Sequence, residues 1–294
     1  MSDPGDTARG PWAALREELV QAGFRPSRRL GQNFLLDENL LRAIVRDAGV
    51  EPGARVLEVG PGLGFLTRHL LTAGARVTAV EIDPRLAERT ETVFANTPGF
   101  DLVRGDVLAS KHTFAPAVLA RIAPPEPWHL VANLPYAVSG PVLAIAASLP
   151  HPPSTMTVLV QLELAQRIVA SAGGDDWGPL SIRLQVAYAA RIVRRVPPEL
   201  FWPRPQVDSA LVRLDVRADP LPPVERVRLS ALVERLFQRR RQRLARVLGE
   251  IAGRGTAGRE WAVQAGLTGD ERAEDLPLET LRRLAGLGPG LPAP

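Results

Sequence analysis

The sequence predicts an α/β protein: a Rossmann-like, doubly wound, mainly parallel sheet followed by a small all-helical C-terminal domain. Three observations predict it. Short, near-continuous apolar runs alternate with helical segments between residues 56 and 170, the pattern of parallel strands covered on both faces. A glycine turn, Gly60-Pro61-Gly62-Leu63-Gly64, follows the first strand directly, where such sheets hold ligands. Beyond Asp219-Pro220-Leu221-Pro222-Pro223 the apolar residues keep helical spacing only.

Residues 1–12, rich in Gly, Pro and Asp, are expected to form a disordered tail, and Ala13 to Ala22 a short helix with Leu15, Leu19 and Val20 on one side. Residues 25–35 have no period and read from composition as a solvated loop. Asp37 is placed to cap a helix carrying Leu40, Leu41, Ile44 and Val45, and Pro52-Gly53 is the turn expected to end it. Strands are expected at Val56 to Val59, Arg76 to Ile82, Phe100 to Arg104, Trp128 to Ala132 and Met156 to Gln161. Helices follow to about Ala73 with Gly74 as cap, over 84–95 from Pro84, over 112–123 up to Pro124, Pro125 and Pro127, from Pro141 to Ala147, and to Ala170. Leu180 to Tyr188, Ala189 to Val196 and Ala210 to Val216 are late strand candidates, expected to be antiparallel. Leu229 to Ile251 keeps one apolar face at 3.6 spacing, with further helices over 258–266 and 277–287. The expected division is 13–218, a linker at 219–223, a helical domain over 224–288 and a frayed end over 289–294.

At 294 residues and 45% hydrophobic, the chain is long enough for a sizeable core, and no apolar run reaches the roughly 20 residues of a membrane helix. The N-terminus lacks the basic head and apolar core of a signal peptide. The absence of cysteine excludes disulfides, thiolate metal sites and cysteine nucleophiles, and fits a cytoplasmic protein. The net charge is +4 and Lys111 is the only lysine, so nearly every cation is a guanidinium suited to phosphate.

The glycine spacing is one residue tighter than the dinucleotide fingerprint. Glu58 lies just before it, where a buried carboxylate would repel a pyrophosphate but suit a ligand with a positive amino group, such as the methionine part of S-adenosylmethionine. Glu81 ends the second strand, where it can accept from both ribose hydroxyls, and Asp106 follows the third, where it can accept from an adenine amino group. The glycine turn, Glu81 and Asp106 at three successive strand ends together favour S-adenosylmethionine over a nicotinamide cofactor. Asn133-Leu134-Pro135-Tyr136 follows the fourth strand. Its amide oxygen and a backbone carbonyl suit one exocyclic amine, and Tyr136 offers a face for stacking. Arg240 and Arg241 interrupt the apolar stripe between Phe237 and Leu244, where a guanidinium needs a partner or a wet cleft.

These stretches, with Leu30-Gly31-Gln32-Asn33-Phe34-Leu35, Gly105-Asp106-Val107-Leu108, Trp177-Gly178-Pro179-Leu180-Ser181, Phe201-Trp202-Pro203-Arg204-Pro205-Gln206-Val207-Asp208-Ser209 and Arg272-Ala273-Glu274-Asp275-Leu276, resemble the KsgA/RsmA family of ribosomal RNA adenine N6,N6-dimethyltransferases, in family order from about residue 25 to 287. The resemblance implies a class I S-adenosylmethionine-dependent methyltransferase. It would act on N6 of two adjacent adenosines near the 3′ end of small-subunit rRNA within an immature small ribosomal subunit, as a monomer without a metal. Residues 30–35 become a lid over the donor. Gln32, Asn33, the Leu35 backbone, Glu58, Gly60, Gly62, Glu81, Ile82, Asp106, Val107 and Asn133 are then expected at the cofactor. Asn133, Leu134, Pro135, Tyr136 and Phe201 are expected at the target base, with Tyr136 and Phe201 sandwiching the flipped adenine. Arg28, Arg29, Arg239, Arg240, Arg241 and Arg243 are expected to contact RNA phosphates. Leu162, Gln242 and Arg246 stand where the family usually has lysine, lysine and asparagine, and Trp177 replaces a common tyrosine; these positions fall in expected RNA-contact regions. An Erm-type enzyme acting on large-subunit rRNA, and a non-catalytic RNA-binding assembly factor on the same fold, are the alternatives.

Overall fold

A computed structural model describes residues 17, 19–21, 23–123, 126–218, 221–288 and 291, with Arg28 and Pro223 described by backbone alone. The expected tail 1–12, most of the helix expected over 13–22, Pro124 and Pro125, Asp219 and Pro220 of the expected linker, and the end 289–294 apart from Leu291 lie outside these residues.

Seven strands form one sheet: β1 (Arg55–Val59), β2 (Arg76–Glu81), β3 (Phe100–Arg104), β4 (Trp128–Asn133), β5 (Thr155–Gln161), β6 (Tyr188–Val196) and β7 (Ser209–Val216). Their spatial order is β3-β2-β1-β4-β5-β7-β6. The first five are parallel; β7 runs antiparallel between β5 and β6. Strand order reverses between β1 and β4, so the crevice for a ligand lies at the carboxyl ends of those two strands. Glu81, Asp106, Asn133 and the glycine turn after β1 are all at that end.

The strand sequences build the two layers of this fold because successive side chains face opposite ways. Val56, Val77, Val131, Leu159 and Leu211 enter one core with α1 (Glu38–Ala48), α2 (Phe65–Thr72) and Leu86 of α3 (Pro84–Phe94). Leu57, Val80, Leu130, Val158 and Val212 enter the other, which takes in α4 (Pro116–Ile122), α5 (Ser139–Ser148), α6 (Leu162–Val169) and α7 (Pro179–Gln185). That second core continues without a break into the helical part: α8 (Pro223–Phe237), α9 (Leu244–Ile251), α10 (Ala257–Gln264) and α11 (Leu278–Leu287). Leu221 of the expected linker is itself buried in this core. No helix among the described residues is long and apolar enough to cross a membrane.

Asp37 caps α1 by accepting the Leu40 N–H at 2.6 Å, but α1 ends at Gly49 (φ 62°), three residues before the proline turn. Gly74 (φ 84°) follows the last turn of α2 as expected. Residues 108–114 form a small hairpin, so α4 begins at Pro116 instead of near 112. Leu19 is buried but Val20, expected on the same side, is 55% exposed.

Two expectations are corrected more substantially. Leu180 to Gln185 is helix: Pro179 occupies the first turn, and Ser181 Oγ accepts the Gly178 N–H. A seven-residue element buried through Ser181, Ile182 and Leu184 carries too few turns for its period to separate helix from strand. The long helix expected over 229–251 is two helices. The chain leaves α8 at Phe237, and Leu244 restarts it with its N–H donated to Glu271 O. Arg240 and Arg241 therefore lie in a turn, and no apolar stripe runs through them.

Candidate active site at the carboxyl ends of the strands

The glycine turn forms the floor of a cleft enclosing about 1130 Å³ of space continuous with solvent. Gly60 and Gly62 both have positive φ, 73° and 59°, a region that penalises any side chain. Space excludes one too: a Cβ on Gly62 would meet the Phe34 ring at 2.9 Å, and one on Gly60 would meet Pro135 at 3.1 Å. The floor is thus pressed between the lid residue Phe34 and the β4 motif.

Glu58 is 1% exposed, and its Oε2 accepts the Thr67 hydroxyl at 2.7 Å. Burial pushes its carboxyl up to about 8; the Thr67 bond opposes this and the charge of Glu81 adds to it. Glu81 is also raised by burial, against the N–H groups it receives: Gly62 at 3.1 Å and Asp83 at 2.9 Å. Asp106 is exposed, with Oδ1 turned back to the Leu108 N–H at 2.9 Å. Ile82, 45% exposed, and buried Val107 contribute apolar side chains to the same lining.

The lid is structured, not the solvated loop that composition indicates. Residues 28–30 make one 3-10 turn, and Phe34–Leu35 pairs antiparallel with Phe201–Trp202. Phe24, Phe34 and Trp202 stack with centroid separations of 5.8–6.4 Å, and the Arg85 guanidinium lies 5.2 Å over Phe24. Gln32 lines the cleft, yet both ends of its amide are engaged within the chain. Oε1 accepts the Ser27 N–H at 2.7 Å and Nε2 donates to Asp83 Oδ2 at 3.0 Å. Asp83 caps α3 and also meets Arg85; burial pushes its carboxyl up, but the Arg85 and Gln32 bonds outweigh that and hold it below the ordinary range.

Asn133 Nδ2 donates to Asn33 O at 3.0 Å. A carbonyl only accepts, so this bond fixes which way the amide points and leaves Oδ1 as the acceptor available to the cleft. The carbonyl of Pro135 already accepts from Val138 N at 3.1 Å and Ser139 Oγ at 3.0 Å, which leaves Leu134 O as the second acceptor of the motif. Tyr136 is half-buried and its hydroxyl bonds Ser209 Oγ at 2.7 Å, with burial raising the phenol.

The structure therefore brings Gln32, Asn33, Leu35, Glu58, Gly60, Gly62, Glu81, Ile82, Asp106, Val107, Asn133, Leu134, Pro135 and Tyr136 to one cleft, with Arg29 on its wall. Phe201 is not there. It is buried in the core against the lid strand, because pairing with Leu35 turns it inward, and it offers no second face for a base in this conformation. The side chain of Arg28 lies outside the described residues. The arginine turn does not line the cleft. Arg239 pairs with Glu250, Arg240 with Glu274 at 3.6 Å and Arg243 with Asp270 at 3.1 Å; Arg241 is exposed and has no partner among the described residues. Trp177, expected near RNA, is buried, and Leu162 packs against the core. Gln242 is half-buried and Arg246 pairs with Glu250 at 3.6 Å.

Residues 23–286 match the family model described as ribosomal RNA adenine dimethylase. The chain belongs to that family. A protein named ribosomal RNA small subunit methyltransferase A from Leifsonia xyli subsp. xyli is 42% identical over 277 residues, covering 94% of this chain and 97% of its own. One of the same name from Acidothermus cellulolyticus is 38% identical over 298 residues, covering 98% and 99%. Among solved structures, the 23S rRNA methyltransferase ErmE is 30% identical with a TM-score of 0.65, covering 86% of this chain and 98% of that one. A dimethyladenosine transferase from Plasmodium falciparum, 20% identical, shares the fold with a TM-score of 0.67 over 85% of this chain and 95% of that one.

Sequence reasoning missed Thr67, Asp83 and Ser209, which hold the functional groups in place. Asp83-Pro84 carries a helix-start signal that marks the first turn of α3. Nothing local marks Thr67 or Ser209, whose partners come from other elements.

Proposed function

We propose that this chain transfers methyl groups from S-adenosylmethionine to N6 of two adjacent adenosines near the 3′ end of small-subunit rRNA, giving N6,N6-dimethyladenosine. The observation that carries this reading is the Asn133 amide, oriented by Asn33 so that its oxygen faces the cleft. Support for the small-subunit substrate comes from relatives of that name at 38–42% identity over 94–98% of the chain, against 30% over 86% for ErmE.

The donor set fits a cationic, adenosine-bearing cofactor. Glu58 is a buried carboxyl whose one bond partner among the described residues is a hydroxyl, and a bound ammonium would stabilise its ionised form. Glu81 suits ribose hydroxyls, Asp106 the adenine amine, and Ile82 and Val107 the adenine faces; Asn33 and the Leu35 backbone suit the methionine end. S-adenosylmethionine, when bound, supplies an electrophilic methyl group. Asn133 Oδ1 and Leu134 O accept from the target amine, drawing its lone pair out of conjugation with the ring and aiming it along the line of transfer. Orientation of this kind is the main service of the site. Tyr136, fixed by Ser209, stacks on the flipped base. The methylated amine loses its proton readily, so no strong base is required. Arg29 and Arg241 meet phosphates. Residues 13–218 serve as the catalytic part and 224–288 as a helical RNA-binding part, in a monomer working in the cytoplasm on an immature subunit.

Mass spectrometry of rRNA from cells with and without the gene tests this. Paired N6,N6-dimethyladenosines in the small-subunit RNA should vanish with the gene. Loss of methylation from large-subunit RNA alone would favour an Erm-type activity, and unchanged RNA a non-catalytic role.

A further inference from the structure

The lid touches both halves of the cleft. Its Asn33 carbonyl receives the Asn133 amide at 3.0 Å, and its Gln32 amide reaches Asp83 at 3.0 Å, two residues beyond Glu81. The other end of Gln32 folds back on Ser27 N at 2.7 Å, so this one side chain spans from the start of the lid to the top of β2. Asp83 N–H in turn donates to Glu81 Oε1. A continuous path of bonds therefore runs from Glu81 through Asp83 and Gln32 into the lid, and from the adjacent Asn33 to Asn133.

We propose that Gln32 is a positioning residue that holds the lid so that Asn33 can set the Asn133 amide. On this view Gln32 is not a cofactor ligand: its acceptor and a donor are already engaged within the chain. The inference rests on the amine-orienting reading of Asn133. Without the Gln32–Asp83 bond, the peptide carrying Asn33 O shifts and the amide loses its fixed orientation, so turnover falls by more than donor affinity does: the contacts at Glu58, Glu81 and Asp106 persist and only those of Asn33 and the Leu35 backbone loosen. An orienting group displaced by a fraction of an ångström is enough to affect the rate.

Exchanging donor and acceptor tests it. Gln32→Glu places a carboxylate against that of Asp83 and breaks the bond; adding Asp83→Asn restores it with reversed polarity, asparagine still caps α3, and Arg85, which shares Asp83 Oδ2, is exposed and can turn to solvent. The expected result for Gln32→Glu is a fall in kcat of about tenfold or more with a clearly smaller rise in donor Kd, read by calorimetry. The double exchange should bring kcat back to within about threefold of the starting chain. Unchanged kcat in Gln32→Glu overturns the proposal. So does a rise in donor Kd matching the loss of rate, which would make Gln32 a ligand, or a loss that the double exchange leaves in place together with a lowered thermal midpoint, which would make it scaffold only. Hydrogen exchange over residues 30–36 reads the strut without any turnover: protection should fall in Gln32→Glu and return in the pair, and unchanged protection overturns it. Inactivity of the unsubstituted chain on small-subunit RNA would instead overturn the activity reading, leaving the exchange measurement to decide the strut.

Discussion

The cleft and the arginine turn at 239–243 are both rich in polar side chains, and they are built by different rules. In the cleft, polar groups arrive at the ends of neighbouring strands and are fixed by short bonds to nearby backbone: Glu81 to Gly62 and Asp83, Asn133 to Asn33. In the turn, three of the arginines each meet an acid from later in the chain, acids that Arg246, Arg272 and Arg259 share, and only Arg241 has no partner among the described residues. A run of charge in sequence is therefore not a uniform binding surface. What matters is which cations the fold has left uncommitted.

The sharpest way to break this comparison is at the cleft. Asn133→Ala should lower kcat by roughly 10²–10³-fold, the scale of losing a group aimed at the reacting atoms, while calorimetric donor affinity stays within about threefold. Equal loss of both would make Asn133 a donor ligand and nothing more. Glu81→Ala should come next, weakening donor binding by about 10–100-fold, as expected for lost hydrogen bonds to a charged group; unchanged calorimetry would remove it from the donor site.

A proton distinguishes the floor. With its carboxyl raised to about 8, Glu58 holds a proton in the free site below that pH and must release it when a cationic donor binds. Donor affinity should climb with pH by up to about tenfold per unit below 8 and turn over near it, where the free donor's α-amino group, at about 7.7–8.0, loses its own proton. Calorimetry in buffers of different protonation heat should show this proton released, and Glu58→Gln should abolish the release. Proton release that persists in Glu58→Gln would assign the proton to another group.

The smallest effects are expected at the turn. Arg241→Ala should weaken RNA binding and reduce the salt slope by about one contact, whereas Arg240→Ala, already paired with Glu274, should leave the slope unchanged. Equal slopes for the two variants would erase the distinction between committed and free cations. Neither should shift stability by more than about 0.5 kcal/mol, since both are exposed.

Much of this architecture is legible in the sequence because the relevant forces are local. Short apolar runs at β1 to β5, bounded by turn residues and alternating with helical segments, read as parallel strands, and their carboxyl ends then collect Glu58, Glu81, Asp106 and Asn133. Where contacts are remote, legibility ends. Phe201 looks like a free aromatic until its backbone pairs with Leu35 and draws it into the core. The break at Phe237 depends on Leu244 finding Glu271 O. Gln32 reads as a ligand by position, and only the placement of Asp83 and Ser27 shows both ends of its amide bonded within the chain.

The two-residue pairing of Phe34–Leu35 with Phe201–Trp202 bears on the order in which the molecule is made. Six of the seven sheet strands precede Phe201 in the chain, so a growing polypeptide displays its glycine turn, Glu81, Asp106 and Asn133 long before it can staple the lid over them. Pairings so distant in sequence form late. A half-translated chain thus carries every group of the floor and the lid segment itself, but not the strand that pins the lid, which arrives only after about two-thirds of the chain has been made.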